Sequence, residues 1–242
     1  MILTERRIND IMKVSKNDVK NNILIINLLV LLIIITELLN RILYNEFISI
    51  LCFIFNLLIT YFMVKATFIA VRENRKIKLS DLILDYKSNI KNIKKFMINQ
   101  FLFTLILLIS LAIILMPAYL FVLIELALFS GESIGLFSIF LLLIFIASVF
   151  SALISIYITL RLIFVCHLFV DKPELSFKDV FAKSYNYTNG NVKTLGYLFI
   201  CILALLLIVV ITFGLAIIYV APYLYIVITK LYLLMYEQEL EV

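Results

Sequence analysis

The chain has 242 residues, of which 64% are hydrophobic and only 15% charged, with a mean hydropathy of +1.14. A water-soluble core cannot hide that share of apolar side chains, so the composition excludes an ordinary soluble domain and makes lipid the solvent for most of the chain. The formal charge of +5 sits between apolar blocks, where membrane orientation and anionic lipid account for it; nucleic acid is not an expected partner.

Gly is only 5 and Pro only 3, which points to an all-α bundle of long, regular membrane-spanning helices, about six in number. Residues 1–22 read as a cytoplasmic N-terminal segment that is retained, since no small-residue cleavage site is present. A first transmembrane hairpin occupies 23–71, with apolar runs Ile23–Leu39 and Phe47–Val71. The first run alone covers about 25 Å at about 1.5 Å per residue, enough to cross the hydrocarbon core once its flanks are counted. Residues 72–95 follow as a cytoplasmic amphipathic helix: Leu79, Leu82, Ile83, Tyr86, Ile90, Ile93 and Phe96 recur at steps of mostly three and four, while Lys87, Lys91, Lys94 and Lys95 fall mostly elsewhere.

The second hairpin covers 96–170. Its blocks Phe96–Phe129 and Ile134–Val170 are joined by Ser130-Gly131-Glu132-Ser133. Pro117 removes a backbone donor and predicts a kink in the first of them. The connector 171–194 repeats the theme of the earlier loop: Ser176-Phe177-Lys178-Asp179 has capping-box spacing, and Asn189-Gly190-Asn191 ends the short helix that follows. The third hairpin takes 195–236. One straight helix over that stretch would reach about 60 Å, twice the hydrocarbon thickness, so two spans meeting near Thr212-Phe213-Gly214 are expected, with a single kinked span as the alternative. Residues 237–242 form a cytoplasmic tail.

Lys and Arg crowd the segments before the first span, between Arg72 and Lys95, and between Lys172 and Lys193, whereas the opposite side carries Arg41 and little else. This bias predicts cytoplasmic N- and C-termini in a plasma membrane. Basic residues inside or beside spans are the default place to seek function. Lys65, Arg161 and Lys230 therefore form a candidate basic vestibule for lipid headgroups or an anionic solute, although each can also snorkel to the interface.

Chemistry-bearing patterns are sparse. His167 is the only histidine, and Cys52, Cys166 and Cys201 all sit in apolar runs. No metal-ligand spacing, phosphate-binding glycine loop or nucleophile elbow is present, so no cofactor is expected and an enzyme is disfavoured. The expected role is a non-enzymatic subunit or scaffold acting through membrane lipid, anionic headgroups included, and through a membrane-protein or cytoplasmic partner. A small transporter or export permease for an anionic or peptide solute is the alternative.

The C-terminal third carries a spaced set of breakers and interface residues: Asp171-Lys172-Pro173, Ser184, Gly190-Asn191, Thr212-Phe213-Gly214, Pro222-Tyr223 and Leu231-Tyr232. This order resembles the DUF975 family of bacterial integral membrane proteins, with one turn glycine where that pattern has two and Leu231 in place of its Phe. The resemblance implies a bacterial plasma membrane and six spans, and supplies no catalytic residues. For Asp171, Pro173, Ser184, Gly190, Asn191, Gly214, Pro222, Tyr223 and Tyr232, physical chemistry suggests structural work such as caps, turns, a kink and an interfacial anchor.

Overall fold

The computed structural model describes residues 4–43, 45–128, 146, 149–151 and 153–240, and among these it contains helices and no strand. The helices are α1 (Glu5–Leu43), α2 (Glu46–Arg72), α3 (Leu79–Ser88), α4 (Ile90–Leu128), α5 (Val165–Asp171), α6 (Phe177–Thr188), α7 (Val192–Ile211) and α8 (Ile217–Leu240). Five stretches among the described residues are long and apolar enough to cross a membrane: Glu5–Leu43, Glu46–Arg72, Val149–Asp171, which ends in α5, Val192–Ile211 and Ile217–Glu237. The block from Phe96 is helical to Leu128 within α4. The side chain of Pro117 and the connection at 130–133 lie outside the described residues.

The chain divides into two compact units, Met1–Gln100 with Arg161–Val242, and Phe101–Leu160. In the smaller unit, the Ser155 and Thr159 hydroxyls donate to the carbonyls of Ser151 and Ser155 at 2.9 and 2.8 Å. Each hydroxyl is thereby satisfied within its own helix, the economical solution where no water is at hand.

In the larger unit α1 and α2 form an antiparallel pair. Asn45 caps α2 by accepting the Phe47 N–H at 2.9 Å. Deeper in the pair, Asn56 accepts from the Thr36 hydroxyl and donates to Glu37 Oε1 at 3.1 Å. Toward the other end of the pair, Asn22 Oδ1 accepts the Ile77 N–H at 2.8 Å, beyond the last turn of α2.

The N-terminal part of α1 packs on α7 and α8: Asn9 accepts from the Tyr197 hydroxyl at 3.1 Å, and the Met12 carbonyl accepts from the Tyr223 hydroxyl at 3.0 Å. Its seam is Ile8, Ser15, Val19, Asn22 and Ile26, all buried at helical spacing.

The periodic stretch 79–96 is divided. At Asn89 the backbone leaves the helix, the Asn89 N–H donates to the Asp85 carbonyl at 2.9 Å, and its side-chain amide donates to Asp85 Oδ1 at the same distance. Ile90, Ile93 and Phe96 thus belong to α4, while Leu79–Ser88 stands as its own helix. Asn provides the competing side-chain bonds that let the chain stop here although the apolar rhythm runs on.

α7 and α8 are separate helices. Between them Phe213 and Gly214 adopt φ of 51° and 89°, and the Gly214 N–H donates to the Val209 carbonyl at 2.8 Å. The left-handed turn reverses the chain within five residues, and Gly214 adopts it without a Cβ penalty. Pro222 lies inside α8.

A charged cavity at the basic end of the bundle

The last turn of α2, the end of α5 and the later part of α8 converge in the larger unit. Asp171, closing α5, accepts two bonds from the Arg72 guanidinium at 2.7 and 3.3 Å and a third from the Tyr232 hydroxyl at 2.8 Å. Its carboxylate is only 10% exposed, against 45% for Arg72. A carboxylate with three donors, two of them charged, is well compensated for the loss of water. The Arg72 guanidinium also lies 5.2 Å from the centroid of Phe68, and Tyr232 is wholly buried among Phe68, Phe164, His167 and Tyr187.

Around this knot opens a cavity of about 660 Å³, within the usual range for small-molecule sites. Its charged lining is Arg72, Lys172 and Lys230 on one side of the balance and Asp171, Glu174 and Glu237 on the other; Tyr236, Ile11, Val71, Leu233 and Leu234 supply the rest. Lys230 is ion-paired with Asp18 of α1. The Lys172 ammonium sits 4.2 Å from the Tyr236 ring centroid, a cation–π contact.

The segment between α5 and α6 is pinned from α4, whose Lys95 ammonium donates to the carbonyls of Pro173 and, at 3.1 Å, Leu175. α6 is capped by Ser176, which accepts the Asp179 N–H at 3.3 Å. Ser184 donates to the Arg161 carbonyl at 2.9 Å.

The three basic residues singled out from the sequence stand apart. Lys65 pairs with Asp85 of α3 at 3.1 Å, and Asp85 also accepts from the Tyr61 hydroxyl at 2.8 Å. Arg161 faces α6, with its guanidinium 4.3 Å from the Tyr185 ring centroid and 3.5 Å from the Thr188 hydroxyl. Of the three, Lys230 alone lines the cavity. The spaced C-terminal residues contribute more directly: Asp171 and Tyr232 build the knot, Pro173 offers its carbonyl to Lys95, and Tyr223 holds α1. Gly190 ends α6 with φ of 76°, and Asn191 is buried at the start of α7.

Arg72, Lys172, Glu174, Tyr236 and Glu237 are the lining residues that sequence reasoning passed over. The available signal was complementary charge at corresponding ends of spans: Arg72 closes one apolar run and Asp171 closes another. A further buried cluster went unnoticed, because threonines in apolar runs look inert. The Thr229 oxygen lies 2.8 Å from that of Thr67 and 3.0 Å from His167 Nε2.

Outside the spans, Arg75 donates to Glu73 and Asp81 at 2.6 Å each. The Arg75 hydrogen bond, joined by the Lys78 N–H, holds the Asp81 carboxyl below its ordinary value, and the bonds to Glu73 and Asp81 hold the Arg75 guanidinium above its own. Among the described residues no group of three or more His, Cys, Asp or Glu could hold a metal ion.

Long apolar helices with their charges gathered at helix ends define a multi-pass, all-α membrane protein. The chain belongs to the bacterial family DUF975, a protein family of unknown function, whose model matches residues 3–239. No curated protein and no solved structure matches it.

Proposed function

We propose that this protein is a non-enzymatic membrane subunit that works by presenting its charged helix ends and cavity to a partner at the cytoplasmic face. The observation that carries this reading is how the charges are used. Arg72 with Asp171, Lys65 with Asp85, Lys230 with Asp18, and Arg75 with Asp81 are ion pairs that tie one segment to another. Groups engaged in this way hold a surface in shape. The lysine and arginine bias supports a cytoplasmic position for this end, and with it six spans and both termini inside.

A small permease is the second reading, favoured by the cavity itself and by Pro222 in α8, on which Lys230 also lies. Crosslinking and mass spectrometry in native membranes separates the two. A subunit yields crosslinks from Lys172, Lys178 and Lys183 to a recurring membrane or cytoplasmic protein. Crosslinks confined to this chain, together with solute flux through the purified protein in liposomes, overturn the subunit reading.

A further inference from the structure

Beyond the partner-binding role, the cavity has a ligand preference that follows from which charges are already matched. Arg72 is committed to Asp171, and Lys230 to Asp18. Three charged groups of the lining remain, Lys172, Glu174 and Glu237; no ion pair joins them to one another or to other described residues, and Lys172 rests on the Tyr236 ring. Their sum is one negative charge.

A simple anion entering this cavity meets two carboxylates and one ammonium, so like-charge repulsion opposes it. An organic ammonium meets the reverse. The ring of Tyr236 is suited to it, because that ring already holds an ammonium group, the one on Lys172, at 4.2 Å. A ligand carrying both signs uses all four groups: its cationic end is drawn to Glu174, Glu237 and the Tyr236 face, and its anionic end takes Lys172 away from the ring.

We infer that the cavity binds a zwitterion with a primary or quaternary ammonium and an anionic group a few bonds apart, of the phosphoethanolamine type, either as a lipid headgroup or as a soluble compound. The apolar patch of Leu233 and Leu234 in the same wall suits the methylenes that join the two ends.

The test uses the full chain in detergent and in nanodiscs. Calorimetric titration compares phosphoethanolamine, ethanolamine and inorganic phosphate; native mass spectrometry compares retention of phosphatidylethanolamine with phosphatidylglycerol. The expected result is saturable binding of the zwitterion in at least one arm, tighter than either half or than the anionic lipid. Saturation in the first arm identifies a soluble ligand and in the second alone a headgroup. The double variant Glu174→Gln, Glu237→Gln should weaken zwitterion binding by about tenfold and strengthen binding of phosphate. Tyr236→Leu should weaken it severalfold, and Tyr236→Phe much less. Both glutamates are exposed, and unfolding midpoints matching wild type verify that these variants fold. Phosphate or phosphatidylglycerol binding as tightly as the zwitterion, indifference to the double variant, or no saturable binding in either arm overturns the inference.

Discussion

Replacing Asp171 by Asn probes the knot on which the basic end is built. The substitution keeps the shape and one carbonyl acceptor but removes the charge that receives Arg72 at 2.7 and 3.3 Å and Tyr232 at 2.8 Å. An exposed ion pair is worth about 0–1 kcal/mol, and breaking a fully buried one costs about 3–5 kcal/mol. Asp171 is 10% exposed but Arg72 is 45% exposed, so the orphaned guanidinium can recover water and the cost falls between these limits, at about 2 kcal/mol. Reversible unfolding in mixed micelles by added denaturing detergent measures it. A cycle with Arg72→Gln should give a coupling of about 1 kcal/mol, since the partners touch. An Asp171→Asn variant within about 0.5 kcal/mol of wild type, with an additive cycle, would refute the reasoning.

Tyr232→Phe should cost about 1 kcal/mol in the same assay, because it deletes one donor and leaves Asp171 its two bonds from Arg72. Gly214→Val should destabilise the α7–α8 turn by about 1–2 kcal/mol through backbone strain alone, since a Cβ there meets nothing within 4 Å while φ is +89°; Gly196→Ala, also open but helical, should be neutral or mildly stabilising. The Asp81 carboxyl is held low by Arg75, so its contribution to the start of α3 is present above the ordinary aspartate range and fades as pH falls through its lowered folded value. Proteolysis at 73–79 should accelerate in that acidic window for wild type, and Asp81→Asn should flatten that dependence.

The all-α, membrane-embedded character of the chain was readable because apolar runs bounded by charge have one stable fate in lipid, and the turn at Thr212-Phe213-Gly214 was readable because one helix of that length overshoots the membrane. The packing of the N-terminal part of α1 on α7 and α8 was hidden by Lys13, Lys16 and Lys20, whose exposed face outweighs the buried seam of Ile8, Ser15 and Val19 in any average over residues 1–22. The division at Asn89 was hidden for the opposite reason: apolar periodicity continues across it, and only the bonds between Asn89 and Asp85 reveal the stop. Of the cavity, Lys230 was legible as a cation beside a span. Its joining with Arg72 and Asp171 depends on which helix ends meet, a long-range fact that residue spacing along the chain does not carry.

The proposed cytoplasmic position of the charges gathered at one end of the bundle is tested most directly by membrane-impermeant maleimide on single cysteines in a chain whose native cysteines are replaced. Asn45→Cys and Phe213→Cys, at the two described helical turns opposite the cavity, should react in intact cells. Lys178→Cys, at the start of α6, should react only after the membrane is opened. Labelling of Lys178→Cys from outside, with Asn45→Cys protected, would contradict the orientation on which the proposed role depends.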